Sequence, residues 1–275
     1  MKLLFQILLF LLISYLMGCS KTSTKTKESI TTKNPEIMYS EAIKEFESEN
    51  YDLAFEKFHD IELKFPLSNE AIQSQIMMAF IEYINLEYDS AIIKLEKIIK
   101  RYPSYKDIDY AYYMIALCYY ERIENPDLDG KFNVLALQNF QELINYFPDS
   151  TYTKDSKQKI ILIKENIAAK HMNVGLFYLN RKNYLAALKR YQKVIDDHFQ
   201  SKYTPEALHR IVEIYSSIGM IEEAKKTASV LGYNYPKSKW YKHSYNLVEE
   251  KNFNKTKKNN LFKKILNKIS SNNEK

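Results

Sequence analysis

The chain has 275 residues, 45% hydrophobic and 27% charged, with only five Gly, seven Pro and two Cys. So few turn-forming residues exclude a β-sandwich or barrel of this length, and GxGxxG, GxxxxGK[ST] and GxSxG motifs are all absent. The net charge of +6 sits at the ends: Lys outnumbers acid by three in residues 20–35 and by seven in residues 251–275, so residues 36–250 carry −5 and offer no basic field to nucleic acid.

The chain opens with Met1-Lys2 and an apolar run, Leu3–Tyr15, broken only by Gln6 and Ser14. A membrane-spanning helix needs about 20 residues, so this run has the length of a secretory signal, residues 1–18. It ends at Leu16-Met17-Gly18-Cys19, which resembles the lipobox of bacterial lipoproteins. The resemblance implies cleavage before Cys19, an S-diacylglycerol on its thiol and an acyl chain on the new amine. That covalent lipid is the one attached group expected; no other cofactor is. Several acyl chains at about 0.8 kcal/mol per buried methylene make a lasting anchor. Ser20 stands where an Asp would retain such a protein at the inner membrane, so the same resemblance implies the periplasmic face of the outer membrane.

Residues 19–35 then read as a flexible tether of Lys, Thr and Ser with Ile30 the lone apolar residue. Its root-mean-square reach is roughly 22 Å. With Cys19 acylated, Cys118 has no disulfide partner, and within Ala116-Leu117-Cys118-Tyr119-Tyr120 it reads as a small buried helix residue.

From Glu36 one pattern recurs: an apolar-periodic helix, a short turn, a second helix with Ala early and a large apolar residue four later, then an aromatic-Pro stop. The second helices carry Ala54 and Phe58, Ala91 and Leu95, Ala136 and Phe140, Ala187 and Tyr191, and Ala224. The stops are Phe65-Pro66, Tyr102-Pro103, Phe147-Pro148, His198-Phe199 and Tyr235-Pro236, with Phe199 where proline is expected. Proline lacks a donor and clashes with the preceding turn, so it ends each unit. Ser68 and Ser150, just beyond, are placed to cap the next helix. No single hairpin buries its own face, so stacking must supply the core.

The pattern resembles tetratricopeptide repeats. The fold expected is all-α, a right-handed superhelix of about five tetratricopeptide-like helix-turn-helix repeats. Repeats one to three fall in residues 36–150, repeats four and five with a closing helix in 151–250, and a basic tail in 251–275.

Further residues, in joint order, narrow the resemblance. Ile108–Leu117, the insertion Asn125-Pro126-Asp127-Leu128-Asp129, Asn183-Tyr184 with Ala187 and Arg190, and Tyr235-Pro236-Lys237-Ser238-Lys239-Trp240 are similar to segments of the BamD family. Leu128 departs from that family's D-R-D insertion. The family is non-enzymatic. The resemblance implies docking to POTRA domains of the barrel component BamA through the C-terminal repeats, beside other lipoproteins of the same BAM complex, and contact of the N-terminal repeats with unfolded outer-membrane proteins. Carried over by position, Arg190 is the candidate POTRA contact, the alternative being a solvated Arg. Gln75, Tyr83, Tyr110 and Tyr113 are the candidate substrate-peptide face, the alternative being ordinary packing tyrosines. Another periplasmic repeat adaptor lipoprotein, for envelope coordination or pilus assembly, is the rival reading.

Catalysis finds no constellation. The five His form neither HxxxH nor HExxH, no CxxC exists, and His209 with Glu213 reads as a satisfied helix pair rather than a metal site. In the tail, Leu261, Phe262, Ile265, Leu266 and Ile269 line one side of a helical pattern ringed by Lys. It fits a membrane-surface segment, a loosely docked helix or a disordered end.

Overall fold

The computed structural model describes residues 34–125 and 130–250, with Lys263. The expected signal segment, Cys19, the tether up to residue 33 and the tail apart from Lys263 lie outside the described residues, as do residues 126–129 of the insertion. Among the described residues, regular structure is helical throughout. Repeat one is α1 (Pro35–Glu47) and α2 (Tyr51–Lys64), and repeat two is α3 (Asn69–Ile84) and α4 (Tyr88–Arg101). Repeat three is α5 (Ile108–Tyr120) and α6 (Lys131–Tyr146). Repeat four is α7 (Thr153–Asn180) and α8 (Tyr184–Asp197), and repeat five is α9 (Thr204–Ser217) and α10 (Ile221–Asn234), before a closing helical stretch at 239–250.

Each helix packs on its neighbours in sequence, and α1 also touches α3 as α3 touches α5. The first helices therefore form the inner layer of the curve, and the second helices its outer layer. The register of the packing is strict. Ala42, Ala79, Ala116 and Val212 of the first helices are wholly buried, and Gly175 takes the same place in α7. The Ala of each second helix follows twelve residues later, except in repeat three, where the insertion adds eight.

Those alanines, Ala54, Ala91, Ala136, Ala187 and Ala224, are all fully buried, with Phe58, Leu95, Phe140, Tyr191 and Ala228 one turn on and Ile61, Ile98, Leu143, Val194 and Leu231 two turns on. A methyl side chain at the crossing lets two backbones approach, and in repeats one to four the large residue a turn later fills the space beyond it, where repeat five has only Ala228. Even an ion pair follows the register: Lys57 reaches Glu45 at 2.5 Å, and Lys94 reaches Glu82 in the corresponding place of repeat two.

The turns inside repeats one, two, four and five share one backbone solution. Glu49, Leu86, Lys182 and Gly219 all have positive φ, between 59° and 84°. The next N–H bonds back to the carbonyl five residues earlier, as Asn50 to Glu45 at 2.9 Å and Glu87 to Glu82 at 2.8 Å. This is a Schellman close, and only the fifth repeat meets its left-handed position with glycine.

The stops between repeats are equally uniform. Phe65, Tyr102, Phe147, His198 and Tyr235 end the second helices at φ between −129° and −138° with ψ between 37° and 66°. His198 adopts this conformation ahead of Phe199, so the junction geometry does not depend on proline. Ser68 caps α3 through the Ala71 N–H at 3.1 Å. Ser150 departs from expectation: it holds the Tyr152 N–H at 3.2 Å one turn before α7 begins, and Tyr152 is itself the cap residue. Ser201 and Ser238 repeat that bond to Tyr203 and Trp240, each at 3.2 Å.

Candidate functional site

The inner layer of the first three repeats encloses a groove of about 460 Å³. Tyr39 of α1, Gln73 and Met77 of α3, Tyr110 of α5 and the loops carrying Tyr105 and Tyr152 line it. Its walls are built by contact between rings. Tyr110 meets Tyr152 at 5.4 Å between centroids, and Tyr113 stacks on the same ring at 4.7 Å and 18°. The Tyr113 hydroxyl donates to Asp155 Oδ2 at 2.6 Å, which locks the stack to the first turn of α7. Asp109 joins repeat three to the following loop by accepting from Ser150 Oγ at 2.6 Å.

Burial raises the hydroxyls that face this space. Tyr39 is pushed up to about 12 by burial and then by Tyr105, and Tyr110 to about 12 by burial and then by Tyr152. Tyr105 and Tyr152 are also raised, first by burial and then by nearby carboxylates, among them Asp107. All four are neutral at physiological pH and serve as hydrogen-bond donors with broad apolar faces.

Of the four residues expected on a substrate face, Tyr110 lines the groove. Tyr113 stands behind it as a support for Tyr152. Tyr83 sits near the end of α3, against Phe80 and Tyr88, and its hydroxyl is raised to about 12 by burial and then by Glu121. Gln75 is a correction: it is only 9% exposed and does not reach the groove. The helical spacing puts it with Ala71, Met78 and Ala79 on the packed side of α3, while Gln73 occupies the lining position.

Tyr39, Gln73, Tyr105 and Tyr152 were missing from the sequence reading. For Tyr152 a signal existed, because Ser-x-aromatic recurs at Ser150-Thr151-Tyr152, Ser201-Lys202-Tyr203 and Ser238-Lys239-Trp240.

In the fifth repeat two polar groups are paired. Arg210 lies between Glu206 at 3.1 Å and Glu213 at 2.8 Å, beneath Trp240. Buried His209 touches Ser244 Oγ through Nδ1 at 2.8 Å and Glu213 through Nε2 at 3.4 Å. Ser244, His209 and Glu213 thus form a hydroxyl–imidazole–carboxylate chain, but Ser244 is completely buried, so no substrate reaches its hydroxyl. Arg190, on α8, is half-buried and enters none of the ion pairs among the described residues; burial first and then the Arg190 charge hold the His171 imidazole below its ordinary pKa. Cys118 is buried, and desolvation pushes its thiol up to about 12, far from a nucleophile. No cluster of three metal-ligating side chains exists among the described residues, and none of their helices is long and apolar enough to cross a membrane.

The family described as YfiO, outer membrane lipoprotein, matches residues 31–231. The outer membrane protein assembly factor BamD of Rickettsia prowazekii is 39% identical over 77% of this chain and 84% of its own length. That of Caulobacter vibrioides is 32% identical over 85% and 76%.

The chain belongs to the BamD family.

BamD of Neisseria meningitidis serogroup A is a further relative at 30% identity, over 84% of this chain and 91% of its own. Among solved structures, the TPR2AB domain of yeast Sti1 in its pHSP90 complex aligns with a TM-score of 0.48 at 14% identity, over 80% of this chain and 83% of that one. BamD proteins are assembly factors, a non-enzymatic kind of protein.

Proposed function

We propose that this protein is the lipid-anchored scaffold of outer-membrane β-barrel assembly, held to the periplasmic face of the outer membrane by acyl chains on Cys19. Its inner groove in repeats one to three meets unfolded outer-membrane proteins, and its C-terminal repeats dock POTRA domains of BamA beside other lipoproteins of the complex. The observation that carries the first contact is the tyrosine-walled groove, whose rings offer area and whose hydroxyls pair with an extended backbone. The second rests on membership of the family and on Arg190, whose guanidinium enters no ion pair among the described residues while Arg210 of the next repeat holds two carboxylates.

Affinity recovery of the detergent-solubilised protein tests the whole reading: a membrane barrel bearing POTRA domains should come with it. Arg190→Glu should reduce that recovery, and undiminished recovery removes Arg190 from the interface. A photoreactive residue at Tyr110 should crosslink to a nascent barrel protein, and yields no higher than those of an exposed position on α8 would exclude the groove. Mass spectrometry of the membrane-extracted protein should find residue 19 acylated.

A further inference from the structure

Resting on the reading that the groove takes client chains, we infer that it selects extended segments in which a lysine or arginine is flanked by aromatic residues, and that it disfavours acidic segments and free carboxylates. Asp107, Asp109 and Asp149 stand on the 460 Å³ hollow, with Lys106 as the one cation among its lining residues. The three carboxylates are in different states. Asp109 is committed, since Oδ2 accepts from Ser150 and Oδ1 accepts from the Tyr110 N–H at 3.0 Å. Asp107 and Asp149 are exposed. Asp107 meets Lys106 at 3.7 Å, with both side chains more than half exposed, an ion pair of the kind that contributes little and exchanges readily. Asp149 takes part in no ion pair among the described residues.

A cation entering between Asp107 and Asp149 therefore competes with a loosely held lysine, and it does so beside tyrosine faces that attract it further. Flanking aromatic side chains would find the Tyr39, Tyr110 and Tyr152 rings. A terminal carboxylate, by contrast, would face these acids with only Lys106 to meet it, and that lysine is 73% exposed at the rim.

The test uses the full mature protein in detergent micelles and short fluorescein-labelled peptides of alternating aromatic and small residues. The peptides carry a central Lys-Lys, Ser-Ser or Glu-Glu pair, and binding is followed by anisotropy at low and high salt. The Lys-Lys peptide should bind about tenfold more tightly than the Glu-Glu peptide, with the difference shrinking at high salt. The double variant Asp107→Asn, Asp149→Asn should lose about five- to tenfold for the Lys-Lys peptide and leave the Ser-Ser peptide unmoved. An unchanged thermal midpoint would show that this variant is folded.

Equal binding of Lys-Lys and Glu-Glu peptides would overturn the charge preference while leaving the groove as a client site. Failure of all three to bind would instead overturn the client reading on which it rests. A synthetic peptide of this chain's own residues 20–33, rich in Lys but without aromatic residues, should compete weakly. Competition equal to that of the Lys-Lys peptide would overturn the proposal by reassigning the groove to the protein's own tether.

Discussion

In the second repeat Ala79 crosses the helix that carries Leu95; in the fourth, Gly175 crosses the helix that carries Tyr191. The register is identical and both solutions are fully packed, but the fourth gives up a methyl on one side to admit a ring on the other. A Cβ placed on Gly175 would lie 2.6 Å from Tyr191 Cε1. The wider comparison runs the same way. The N-terminal groove is walled by tyrosines, whereas a hollow of about 320 Å³ in repeat four carries Glu165, Asp196 and Asp197 with no tyrosine in its lining, and Arg210 and His209 in repeat five are paired, Arg210 between two glutamates and His209 between Ser244 and Glu213. One repeat template thus fixes where helices cross without fixing what polar groups do, and the second choice is what separates a tyrosine-walled groove from a hollow without tyrosine.

The comparison breaks most severely at the shared filler position. Phe140, fully buried between α5, α6 and α7, should cost about 3–5 kcal/mol on substitution by Ala, a fall of roughly 6–20 °C in thermal midpoint by circular dichroism. Next comes the exchange itself. Gly175→Ala should destabilise by about 1–3 kcal/mol despite the better helix propensity of Ala, because a buried ring must move. Adding Tyr191→Leu recreates the pair of the second repeat and should recover most of that loss, read as a coupling in a double-mutant cycle. Additive losses would mean that the two sites do not share one space.

A smaller effect concerns pH. His171 and His198 pack with their rings 6.4 Å apart, and both have their pKa lowered by burial, His171 also by Arg190 and Lys193 against Asp197, His198 also by Lys164 and Lys193 against Asp197 and Glu165. Their folded pKa lies below the unfolded value, so the stability they lend is present above about pH 6.5 and is lost as pH falls through the folded value. Denaturant midpoints should drop over that window, and His171→Gln with His198→Gln should flatten the drop. Smallest of all is Leu86, 69% exposed at φ 64°: Leu86→Gly should raise stability by about 0.5–1 kcal/mol, as the fifth repeat already does with Gly219.

Spacing alone carried the helices and the core, because Ala54, Phe58 and Ile61 recur at one interval through all five units and burial follows that interval. The all-α superhelix was legible for the same reason, and the family through its resemblance in particular segments such as Ile108–Leu117 and Tyr235–Trp240. The groove was legible only in part. Tyr110 was accessible to sequence reasoning as an aromatic on an inner helix, but Gln75 and Gln73 differ by two residues, or about 200° around the helix, and nothing local in Gln-Ser-Gln says which one faces inward. Tyr105 and Tyr152 come from loops whose direction is set by the stops before them. The pairing of Asp109 with Ser150 spans 41 positions and emerges only when the repeats stack.

The 28 residues of α7 run without interruption from Thr153 to Asn180, packing on α6 at repeat three and on α8 at repeat four. At about 1.5 Å per residue this is a beam some 42 Å long, with no joint between the repeats that carry the tyrosine groove and those that follow. A torque applied at one end is delivered to the other rather than absorbed by a hinge, so any partner that turns the C-terminal repeats also steers the mouth of the groove.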